Sequence, residues 1–142
     1  MSYEEAEDFR KLLQKLDRKA TISWLPEMKA GRPVYDYLRR SLESEDLSRH
    51  QKANILHALF RLRSHGSDEE VFSTIARFSC DPEERVRSAS VTLLIGMVKL
   101  HAFRAPFFSD EILQKVESAL QLGLSHNVAS LARGFLQGEA GF

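Results

Sequence analysis

The segment from Asp81 to Val98 constrains the fold more than any other part of the chain. Asp81 and Pro82 read as a turn followed by a first helical position, and Glu84 stands at capping-box spacing from Asp81. The residues that follow are apolar or small around most of a helical wheel, which predicts a helix buried on nearly every side. The segment therefore predicts a helix that begins after the Asp-Pro turn and lies largely inside the core.

The rest of the chain has the same helical period. Apolar residues recur at intervals of three and four, and no alternation of period two occurs, which predicts helix throughout. The interval 18–32 is expected to pack down as a short helical turn broken at Pro26. The predicted fold class is all-α, with helices at about 3–17, 33–44, 48–64, 68–79, 82–101, 110–123 and 126–137.

The last six predicted helices group into three pairs, 33–64, 68–101 and 110–138. Val34, Val71 and Ile112 begin the apolar stripes of the first helices, at spacings of 37 and 41. A period near forty is typical of arrays of helical repeats. The region 1–32 is expected to cap the open end, because a terminal repeat needs a polar outer face. The sequence thus predicts one repeat domain over 1–142.

Four residues of the middle pair, Asp81, Val86, Arg87 and Leu94, carry a resemblance to the HEAT-repeat family that extends from about Arg32 to Gly138. The other two pairs lack the aspartate and the Val-Arg pair. The resemblance implies a short right-handed α-solenoid of about three helix pairs. It also implies that Asp81 caps the second helix, accepting from the amide of Glu84 or Arg85, and that Arg87 reaches toward a neighbouring turn. Members of such a family serve as scaffolds for proteins or, less often, nucleic acid.

Charge and cysteine content narrow the class of protein further. The chain has 142 residues with 20 basic and 20 acidic side chains, so overall charge gives no attraction to nucleic acid or membrane. The one cysteine, Cys80, excludes an intrachain disulfide and is interpreted as a small buried residue. The acidic start is not a secretory signal, and the longest apolar run is about half of a membrane span. The sequence predicts a cytoplasmic protein.

No pattern of catalytic or metal-binding residues is present. The five histidines are dispersed without HExxH spacing, and the chain has no CxxC, P-loop or GxGxxG. Ser125 and His126 lack the GxSxG surroundings of a nucleophile. Enzymes with HEAT-like folds exist, but no residues here support one. We therefore expect no enzyme activity, no cofactor and no metal site.

The predicted binding surface consists of a polar stripe on each second helix. In the HEAT arrangement second helices line the concave side, so these stripes should lie side by side. They carry four cations and no carboxylate, and small residues in the middle helix would leave room for a close partner. The partner-binding residues predicted on this basis are His50, Asn54, His57, Arg61, Arg85, Ser88, Thr92, Lys99, His126, Ser130, Arg133 and Gln137. The other interpretation is a solvated face that happens to be basic.

The leading functional hypothesis is a non-enzymatic protein-interaction module, an adaptor or an immunity-type inhibitor, that binds an acidic protein segment. The alternative is binding to the phosphate backbone of nucleic acid. HEAT-like alkylpurine glycosylases use such a surface, but the acidic and stacking aromatic residues that they need are absent from these stripes. A secondary contact site is the loop with Phe103, Phe107 and Phe108, which either plugs a seam between helix pairs or forms an exposed patch.

Overall fold

The computed structural model describes residues 31–43, 46–99 and 109–137, together with the single positions Lys11 and Gln14. This part of the chain contains helices and connections but no strand, so its all-α class is confirmed. Apart from Lys11 and Gln14, which are helical, the predicted capping helix lies outside the described residues, and so does the aromatic loop. The helices are α1 (Arg32–Ser41), α2 (Arg49–Arg61), α3 (Asp68–Ala76), α4 (Glu84–Lys99), α5 (Ser109–Leu122) and α6 (His126–Leu136), with short 3₁₀ turns at Arg63–His65 and Arg77–Cys80.

The chain forms two compact units, Met1–Ser67 and Asp68–Phe142. The boundary between them coincides with the gap between the first predicted helix pair and the second. One domain over 1–142 remains a prediction, because two compact units can belong to one domain or to two.

In the first unit, α1 and α2 pack together through apolar positions spaced three and four apart. Val34, Tyr35 and Leu38 of α1 are buried. The predicted capping box at the start of α2 is confirmed: the Gln51 amide donates to Ser48 Oγ at 3.1 Å, and the Ser48 amide donates to Gln51 Oε1 at 2.9 Å. Two otherwise orphan amides of the first turn are thereby satisfied.

Gly66 follows the 3₁₀ turn after α2 and packs against Tyr35, where a larger residue would collide with the ring. A Cβ at Gly66 would lie 2.5 Å from the Tyr35 hydroxyl oxygen, and Tyr35 is completely buried. The Arg32 guanidinium also donates to the carbonyl of His65. These contacts hold the turn after α2 against the first turn of α1, as expected for the end of a helix pair.

In the second unit, α4 is the central helix and packs against α3, α5 and α6. All residues from Val86 to Val98 are buried except Thr92 and Gly96, so the predicted burial around most of the helix is confirmed. The Ser90 hydroxyl, itself fully buried, donates to the Ile75 carbonyl at 2.7 Å near the end of α3. This bond satisfies the hydroxyl inside the core and fixes α4 against α3.

The start of α4 differs from the sequence prediction. The helix begins at Glu84 rather than at Pro82, and the Asp81 carboxylate accepts from the amide of Glu83 at 2.9 Å rather than from Glu84 or Arg85. The Arg87 guanidinium donates to the carbonyls of Asp81 and Pro82 at 2.8 and 2.9 Å. In a helix that began at Pro82 those carbonyls would accept from backbone amides. Here they accept from the side chain of Arg87, and the helix starts two residues later than predicted.

Asp81→Ala should lower the free energy of unfolding by about 1 kcal/mol, because the Glu83 amide loses its acceptor at a helix start. Asp81→Asn is the matched control, since its side-chain carbonyl can still accept, and it should lose less than half as much. Urea denaturation followed by circular dichroism measures both values. Equal losses for the two variants would mean that the acceptor at Asp81 does not stabilise the turn.

The end of α3 also differs from its predicted form. The helix expected over 68–79 is regular only to Ala76 and tightens into the 3₁₀ turn Arg77–Cys80, in which the Asp81 amide donates to the Phe78 carbonyl at 3.2 Å. Cys80, predicted to be buried, is exposed. The 3₁₀ turn changes the direction of successive side chains, which a regular helical wheel does not anticipate.

Candidate functional site

The turn between α5 and α6 is fixed to the first part of α4 by two side chains. Arg87, only 8% exposed, donates to the Gly123 carbonyl at 2.9 Å and to the Leu122 carbonyl at 3.4 Å. Ser88 Oγ accepts from the Ser125 amide at 2.9 Å. Arg87 therefore reaches a neighbouring turn, the role that the resemblance implied. Because Ser125 directly precedes α6, the N-terminal turns of α4 and α6 meet at this point.

Gly123 adopts a backbone conformation that suits glycine, with φ of +115°. A residue with a Cβ is strained there. The left-handed turn directs the Gly123 carbonyl to Arg87, so the glycine and the arginine act together in joining the two helices.

A narrow accessible stripe runs along α4. Arg85 and Lys99 are exposed at its two ends, and Thr92 and Gly96 are partly exposed between them. These four positions lie within about 60° of one another around a helix with 3.6 residues per turn. Buried residues flank the stripe on both sides, so it is the accessible side of an otherwise enclosed helix.

The stripe predicted on α6 is also accessible. His126, Ser130, Arg133 and Gln137 are all exposed, and their spacing of three and four places them on one side of the helix. Since α6 packs against α4, the described cations Arg85, Lys99 and Arg133 belong to two neighbouring helices of one unit. We use the name α4–α6 face for the accessible residues of these two stripes: Arg85, Thr92, Gly96, Lys99, His126, Ser130, Arg133 and Gln137.

Two predicted binding residues are not accessible. Ser88 is 6% exposed, with its hydroxyl taken by the Ser125 amide, and Asn54 in α2 is 5% exposed. A helical wheel gives the direction of a side chain but not what packs over it, so both were placed on an open stripe. The other α2 positions are mixed: Arg61 is exposed, whereas His50 and His57 are partly buried.

One acidic feature of the face was missed. Glu83 and Glu84 are exposed directly before Arg85, so carboxylates stand beside the predicted basic stripe at the start of α4. They reduce the positive potential at that end, because opposite charges a few ångströms apart cancel at a distance. The adjacency was visible in the sequence. The other end, with Gly96 and Lys99, is the more strongly basic part of α4.

Burial of the His57 imidazole in α2 lowers its pKa from the ordinary value of 6.5. The neutral imidazole is thus favoured in the folded state. Below the unfolded pKa the unfolded chain binds the proton more readily, so stability falls as the pH falls.

His57→Gln should flatten the pH dependence of stability between pH 7 and pH 5. The wild-type free energy of unfolding should decrease through this window with a contribution from His57 of at most about 1.4 kcal/mol per pH unit. Urea titrations at several pH values measure it. A slope unchanged in His57→Gln would show that this imidazole is equally protonated in the folded and unfolded states.

The described residues contain no group of three or more His, Cys, Asp or Glu side chains that could hold a metal ion. Within the same part of the chain no helix combines the length and the apolar character that crossing a membrane requires. Phe103, Phe107 and Phe108, the secondary contact residues, lie outside the described residues. No protein-family model, no curated protein and no solved structure matches the chain significantly.

Proposed function

We propose that this protein is a non-enzymatic protein-interaction module, of the adaptor or inhibitor type, that binds an acidic segment of another protein on the α4–α6 face. The observation that carries the proposal is the exposure of Arg85, Lys99 and Arg133 on two helices that pack against each other. Charged groups of this kind steer and select a partner of opposite sign more than they add affinity.

The architecture proposed for the module is a short right-handed α-solenoid of HEAT-like repeats. Three features of the second unit support it: α3 packs on α4, α5 packs on α6, and α4 packs on α6. Arg87 joins one pair to the turn of the next. A solenoid presents an extended surface, which suits binding to a linear segment. The lone cysteine supports a reducing compartment, and we propose the cytoplasm.

Binding to the phosphate backbone of nucleic acid is the second candidate, because it would use the same cations. Three of them would give a log–log salt slope of about −2 to −3. Zero net charge gives the chain no general attraction to a polyanion, which favours a protein partner.

Charge reversal tests the proposal. Arg85→Glu combined with Lys99→Glu should abolish binding of a fluorescent polyglutamate peptide at low salt, measured by anisotropy. The free energy of unfolding should stay within about 0.5 kcal/mol of wild type, because both residues are exposed. The wild-type affinity should fall as salt is added.

The matched control is Arg77→Glu with Lys115→Glu, which changes the net charge equally at positions outside the α4–α6 face. It should weaken binding far less. Equal loss in both double variants would show that total charge, not the face, governs binding. Tighter wild-type binding to a single-stranded oligonucleotide than to polyglutamate would favour the second candidate.

A further inference from the structure

We draw no further inference here: the strongest candidate, the apolar surface patch on α5 formed by exposed Leu113 and partly exposed Leu120, carries no proposal, because nothing in the described part of the chain shows what covers it.

Discussion

Leu94→Ala should lower the free energy of unfolding by about 2–5 kcal/mol. Leu94 is completely buried in α4, which packs against three other helices. Removing its side chain loses apolar burial and leaves a cavity that helices fixed on several sides cannot fill. Urea denaturation followed by circular dichroism measures the loss.

Glu117→Ala is the matched control for Leu94. Glu117 is exposed on α5, in the same unit, so its truncation should change stability by about 0.5 kcal/mol or less. Similar denaturation midpoints for the two variants would contradict the central position of α4. A large loss confined to Leu94→Ala would agree with it.

Arg87→Met should lower the free energy of unfolding by about 3 kcal/mol. Methionine keeps an unbranched side chain but removes four hydrogen bonds, which the guanidinium donates to the carbonyls of Asp81, Pro82, Leu122 and Gly123. Hydrogen bonds from charged donors contribute more than neutral ones, and carbonyls left without a partner in a partly buried site destabilise the fold.

The neighbouring arginine provides the control, because Arg85 is exposed and Arg87 is buried. Arg85→Met should change stability by about 0.5 kcal/mol or less. Arg87→Lys should recover only part of the loss, since an ammonium group cannot donate in the planar fork of a guanidinium. Full recovery by lysine would show that charge, rather than geometry, stabilises the turn.

Features that depend on residues close together in the chain could be predicted from the sequence. The capping box of Ser48 and Gln51 requires only residues three apart. Burial of Leu94 followed from the width of the apolar face of α4. The reach of Arg87 toward another turn followed from a resemblance in the same short segment, and the structure shows the carbonyls that it contacts.

Features that depend on competition between distant groups could not be predicted. The Asp81 carboxylate accepts from the amide of Glu83 and not from that of Glu84 or Arg85, and the carbonyls of Asp81 and Pro82 accept from the side chain of Arg87, six and five positions later. Ser88 was expected on an open stripe, but its hydroxyl accepts from Ser125, thirty-seven positions later. The sequence predicted that Arg85, Thr92 and Lys99 are accessible on α4. It did not predict that Ser88 is buried, because that depends on the packing of a distant turn.

The bonds of Arg87 also set a length. One guanidinium donates to carbonyls in the turn before α4 and in the turn before α6. Both turns must therefore lie within hydrogen-bond distance of the same side-chain group. Inserting or deleting a residue between Leu122 and Ser125 would move the acceptors out of reach, whereas an insertion at an exposed tip elsewhere meets no such limit. An engineer who wished to extend this protein by copying its helix pairs would therefore have to copy the arginine together with the glycine that receives it.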